Sequence, residues 1–175
     1  IATVRAGNVI GGGDFGSRRL VPDWIRSKQN KTPLLVRNIE HVRPWIYILD
    51  ALFGYLLVLE HLCVRKSAEG GAWNIGACEN ISVGQLLSAL ESCWNLQEGK
   101  QEVSTHHKSA QLEHQNEDPY LSLSCSKAHE ELGWSKKYSL DESVFWTIDG
   151  YKNQTVEAME AALEAYLSDS SIREK

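Results

Sequence analysis

Short apolar runs punctuated by glycine open the chain, and helical spacing takes over further along. Residues 1–5 are a β-branched run broken by Gly7 and by Gly11-Gly12-Gly13, which predicts a short buried strand followed by a glycine-rich turn. A helix is predicted over residues 21–28 and a strand over 34–36, after which Arg43-Pro44-Trp45 interrupts the pattern. Asp50 is placed to cap a helix running to about Leu62. That helix is apolar almost all round, as in helices packed against a sheet. Another brief strand is predicted over residues 72–75, ended by Gly76.

The sharpest helix starts lie in the second half. Ser82 with Gln85 has capping-box spacing, and Ile81 with Leu86 the matching staple. Val83, Leu86, Leu87, Leu90 and Trp94 then share one helical face. A polar stretch follows to Asp118, with a strand predicted near residues 102–105. Ser126 is expected to cap a short helix that Gly133 ends. Ser139 with Glu142 forms a second capping box, followed by Val144, Phe145, Ile148 and Tyr151 on one face. Beyond Thr155, residues Val156, Met159, Leu163, Tyr166 and Leu167 trace a stripe on a polar helix that frays into SDSSIREK. Strands alternating with helices place the chain in the α/β class.

Composition narrows the function classes. The 175 residues are 42% hydrophobic and carry a net charge of −5, and basic residues gather only in short pairs such as Arg18-Arg19 and Lys136-Lys137. This is not the basic face of a nucleic-acid binder. No run reaches the ~20 apolar residues of a membrane helix. Cys63, Cys78, Cys93 and Cys125 are scattered, without metal-ligand spacing, and His106-His107 would point to opposite faces of a strand. Reduced thiols in a cytoplasmic protein are expected.

Two kinds of chemistry have no matching motif. The glycine-rich stretch GNVIGGGDFG lacks the G-x-G-x-x-G spacing that sets a pyrophosphate on a helix N-terminus. No tyrosine has a lysine four residues on: Ala51, Leu59, Ser124, Glu142, Thr155 and Ser170 occupy those positions. Asn8, Arg18, Arg19, Arg37 and Arg43, by contrast, gather beside turns within the first 45 residues. Guanidinium forks and an amide N–H suit the oxygens of a phosphate or diphosphate.

These same residues carry a resemblance. Arg5-Ala-Gly-Asn-Val-Ile-Gly-Gly-Gly-Asp14, Arg19-Leu-Val-Pro-Asp23, Val36-Arg-Asn38 and Arg43-Pro-Trp45 follow one another in order. Gly71-Ala-Trp-Asn-Ile-Gly76, Cys125-Ser-Lys-Ala128 and Leu132-Gly-Trp134 continue the series. Together they resemble the C-terminal half of sugar-nucleotide enzymes of the extended short-chain dehydrogenase family, above all CDP-glucose 4,6-dehydratases. Two departures stand out: Gln115-Asn-Glu-Asp118 replaces a P-H-E-A stretch, and Ser124 stands where an aspartate is usual.

The resemblance implies a partial doubly wound, Rossmann-like parallel sheet with a small α/β substrate lobe over residues 1–155, and a separate helix and tail over 156–175. It implies that Asn8 and Arg43 hold a substrate diphosphate, that Arg19 and Leu20 line the cleft, and that Val36 and Arg37 lie near ribose and base. The whole enzyme would take a hydride from C4 of a CDP-bound glucose onto NAD, lose water across C5 and C6, and return the hydride to C6. Its cofactor glycines and Tyr-Lys pair would precede Ile1. The isolated chain is accordingly expected to hold no NAD and to be inactive, and to form a homodimer or to pair with an N-terminal half.

Overall fold

The computed structural model describes residues 1–65, 71–77, 79, 81–98, 108–109 and 118–168. Along the chain run β1 (Thr3–Ala6), β2 (Asn8–Ile10), α1 (Leu20–Asn30), β3 (Leu35–Val36), β4 (Val42–Arg43), β5 (Trp45–Tyr47) and α2 (Ile48–Arg65). There follow β6 (Ala72–Ile75), β7 (Ile81–Ser82), α3 (Val83–Glu98), β8 (Lys108–Ser109), α4 (Ser126–Leu132), α5 (Leu140–Lys152) and α6 (Val156–Ser168). The predicted strand at 102–105, His106-His107 and residues 169–175 lie outside the described residues.

Parallel pairing dominates. β1 runs beside β6, β2 beside β5 and β3 beside β8, while β4 pairs antiparallel with β7. The first strand changes partner at Gly7. The Gly7 amide donates to the Ile75 carbonyl at 2.8 Å, and the next amide, of Asn8, donates to the Pro44 carbonyl at 2.9 Å. A Cβ at Gly7 would stand 2.1 Å from the Pro44 carbonyl oxygen, so only glycine allows the two backbones to meet there.

β5 is the joint of the molecule. Successive strand residues point to opposite faces, and all three of its side chains are buried. Trp45 enters a core with Trp24 and Ile25 of α1, Leu86 and Leu90 of α3, and Ile148 of α5. Ile46 enters a second core with Val58 of α2, Trp73 and Ile75 of β6, and Trp134. Tyr47 stacks in a third cluster with Tyr138 and Tyr166, the last from α6.

Local signals fix the helix ends. Ser82 and Gln85 exchange the two capping-box hydrogen bonds at 2.8 and 3.1 Å, and Ser139 and Glu142 do the same ahead of α5. Gly133 closes α4 in the left-handed conformation, at φ 66°, whereas Ser126 is the first helical residue and Cys125, not Ser126, holds the cap position. Asp50 departs from its expected role. The helix starts two residues earlier, at Ile48, and runs on to Arg65. The Asp50 side chain turns inward, accepting from the Lys137 amide at 2.9 Å, the Tyr166 hydroxyl at 2.8 Å and the Tyr138 amide at 3.4 Å. On α6 the expected stripe splits: Tyr166 is buried, whereas Val156, Met159, Leu163 and Leu167 face outward. Phe145 of α5 is likewise exposed. Among the described residues no helix is long and apolar enough to cross a membrane.

Candidate functional site

Where β2, β3 and β4 come together with the start of α1, the surface opens into a polar cleft of about 430 Å³. Asn8, the first residue of β2, lines it directly after the partner change at Gly7. Leu20 contributes from the first turn of α1, Val36 and Arg37 from the end of β3, and Arg43 from β4. Five of the six residues to which the resemblance assigns a role thus converge from four separate segments.

Arg19 does not line this cleft. Its guanidinium pairs with Asp14 at 2.9 Å and is largely exposed. Arg18 takes its place. The backbone at Arg18 is left-handed, with φ 62°, while Arg19 is extended, so the neighbouring side chains leave the chain in different directions. A non-glycine residue held this way is strained, a cost of about 1 to 2 kcal/mol. His41 and Trp45 also line the cleft and were not singled out as site residues in the sequence.

The charge is lopsided. Arg18, Arg37 and Arg43 face one space, and the carboxylate among the lining residues, Asp23, is engaged by Arg26. Arg43 is held by its surroundings: Nη1 donates to the Val42 carbonyl at 2.8 Å and to the Asp118 carbonyl at 3.0 Å, and Nη2 lies 3.1 Å from His41 Nδ1. The Asp50 carboxylate is engaged elsewhere, in the core. Three arginines lining one cleft beside the apolar Leu20, Val36 and Trp45 suit an anion joined to a flat or apolar group.

The glycine-rich loop behaves differently. A Cβ on Gly12 would stand 2.4 Å from Gly150 Cα, so this glycine is there to pack backbone on backbone against α5. The nearest following helix begins only at Leu20. That arrangement does not fit the pyrophosphate of NAD, which sits where a glycine turn opens straight into a helix. A second cavity of about 380 Å³ beside this loop is walled mainly by apolar groups such as Leu49, Leu52, Trp146 and Met159 and offers no cationic grip. Among the described residues no cluster of His, Cys, Asp and Glu is arranged to hold a metal.

Comparison with known proteins bears on the family and the fold. The family described as GDP-mannose 4,6 dehydratase matches residues 8–145. A CDP-glucose 4,6-dehydratase of Salmonella typhimurium is 34% identical over 151 residues, covering 82% of this chain and 39% of the relative. The chain therefore spans about two fifths of that protein's length. Among solved structures, a UDP-glucuronic acid 4-epimerase from Bacillus cereus, in complex with UDP-glucuronic acid and NAD, superposes with a TM-score of 0.68 at 23% identity. The match covers 89% of this chain and 46% of that one. A dTDP-glucose 4,6-dehydratase from Bacillus anthracis in complex with NAD gives 0.67 at 19% identity, over 86% and 44%. The structural likeness establishes a Rossmann-like α/β architecture of the kind found in extended short-chain dehydrogenases. With the family match over most of its length, the chain belongs to the GDP-mannose 4,6 dehydratase family.

Proposed function

We propose that the arginine-lined cleft holds the diphosphate and nucleoside of a CDP-sugar. The chain is then the sugar-nucleotide-binding portion of an NAD-dependent CDP-glucose 4,6-dehydratase. The observation that carries this reading is the convergence of Asn8, Arg37 and Arg43, distant in sequence, on one cleft that Arg18 completes. Arg43 offers a fixed guanidinium to the phosphate oxygens and Asn8 an amide, both as charge-assisted contacts. Leu20, Val36 and Trp45 supply apolar surface for ribose and base. Arg19, next to the cleft-lining Arg18, pairs with Asp14. Residues 1–155 act as this binding unit, and α6 packs onto it through Tyr166.

NAD, in the whole enzyme, supplies the hydride acceptor and donor. We assign none of its contacts to this chain, whose glycine loop does not fit it, and expect the chain alone to leave CDP-glucose unconverted. The runner-up is a dehydratase or epimerase for another nucleotide sugar, favoured by the likeness to an epimerase fold.

Nuclear magnetic resonance titration of the labelled chain with CDP, UDP, dTDP, GDP and CMP tests both. Shifts at the Asn8, Leu20, Val36 and Arg37 amides, with CDP tighter than CMP, are expected. Equal affinity for CMP rejects the diphosphate role, and tighter UDP or dTDP binding favours the runner-up.

A further inference from the structure

The cleft contains a side chain whose contact has only one chemical interpretation. A guanidinium can donate hydrogen bonds and cannot accept them. Arg43 Nη2 lies 3.1 Å from His41 Nδ1, so that nitrogen must be the acceptor, and a neutral His41 carries its proton on Nε2. His41 directly precedes β4 and lies two residues before Arg43, the spacing at which side chains of an extended chain return to one side.

The imidazole sits on a firm base. The His41 amide donates to the Asn38 carbonyl at 3.3 Å, closing a turn. The carbonyls of Ile39 and His41 accept from Gly84 and Val83 at 2.8 and 2.9 Å, which are the orphan donors in the first turn of α3. A Cβ on Gly84 would come within 3.3 Å of the Ile39 carbonyl, so the helix start and this turn are in close backbone contact.

Resting on the diphosphate reading of the cleft, we propose that His41 is a positioning residue. Its unprotonated Nδ1 holds one arm of Arg43 while the Val42 and Asp118 carbonyls hold the other, so that the guanidinium is aimed before ligand arrives. An arginine stem loses considerable rotamer freedom when it is fixed at the moment of binding, and a pre-oriented one avoids most of that loss. The role depends on acceptance and geometry, since His41 is asked to contribute no charge.

Three substitutions separate positioning from charge. In His41→Asn the side-chain oxygen stands near the place of Nδ1 and restores an acceptor. His41→Ala removes it. His41→Lys replaces it with a donor while adding a positive charge to an anion-binding cleft. CDP affinity is expected to stay within about twofold in the Asn variant and to fall about three- to tenfold in the Ala variant. In the Lys variant it should fall at least as far as in Ala, against simple Coulomb attraction. Unchanged affinity in His41→Ala, or a gain in His41→Lys, overturns the proposal.

A second readout needs no ligand. Two-bond proton–nitrogen spectra of the wild-type chain in mildly alkaline buffer, with the His41 signals assigned by their loss in His41→Asn, report which ring nitrogen carries the proton. A protonated Nε2 with bare Nδ1 supports the contact, and the reverse tautomer overturns it. Failure of the wild-type chain to bind CDP overturns the diphosphate reading, and with it the function proposed for His41. The tautomer would still judge the His41–Arg43 contact separately.

Discussion

Arg18 and Asp50 illustrate what single residues contribute and what a sequence conceals. Arg18 occupies a left-handed backbone position next to the cleft, a conformation that glycine adopts without strain. Arg18→Gly should therefore raise stability by about 0.5 to 1 kcal/mol in chemical unfolding while weakening CDP binding. A variant that loses stability would show that the strained turn is held by contacts of the arginine side chain itself. Nothing in the pair Arg18-Arg19 tells which one faces the cleft, because the backbone angle that decides it is not encoded by residue type alone.

Asp50 was legible as a helix-start residue and misread in its role, because its partners lie more than 80 positions downstream. Burial pushes its carboxyl up from the ordinary carboxylate range, and the hydrogen bonds from Lys137, Tyr166 and Tyr138 offset only part of that. Asp50→Ala leaves two amides and a buried hydroxyl without their acceptor and should cost about 2 to 4 kcal/mol. The pH dependence has a definite sign. With the folded-state pKa above the unfolded one, the native state binds more protons between the two values, and stability falls as pH rises through that window. The stability of wild type minus that of Asp50→Asn should thus decline from about pH 4 upward and then level off. A difference that is flat with pH in urea unfolding contradicts the raised carboxyl.

At the scale of elements, the best-read features were those written locally. Both capping boxes and the Gly133 stop depend on residues three or four apart, and the structure has them where their spacing put them. β2 and β5 were not anticipated. Each is three residues long, and the apolar run of β5 passes straight into α2, leaving neither alternation nor a break to mark it. The candidate site was legible as a set of residue types, and its convergence became visible only with the pairing of these strands. His41 left one signal, its two-residue spacing from Arg43. The glycine loop yields a test of element packing. Gly150→Ala improves intrinsic helix propensity by about 1 kcal/mol, yet its Cβ would stand 2.9 Å from Gly12 Cα. A net destabilisation with altered resonances across residues 11–16 is expected, and a rise in melting temperature would contradict the close packing.

Over the whole molecule, two features bear on assembly and on function. Leu52, Tyr55, Leu56 and Leu59 follow one another along the outward side of α2, all exposed. Apolar patches of this kind seldom stay open on monomers, and self-association of the purified chain at micromolar concentration is expected by light scattering. A stable monomer would contradict it. The cleft bears the central claim, that this chain grips the diphosphate of a nucleotide sugar through Arg43. Calorimetric titration of CDP into wild type and Arg43→Ala, with a melting curve for each, tests it most directly. A loss of about 1.5 to 3 kcal/mol in binding, a tenfold to hundredfold rise in dissociation constant, is expected with a melting temperature close to wild type. Equal CDP affinities with a lowered melting temperature would contradict the claim and leave Arg43 as a clamp between β4 and the Asp118 carbonyl.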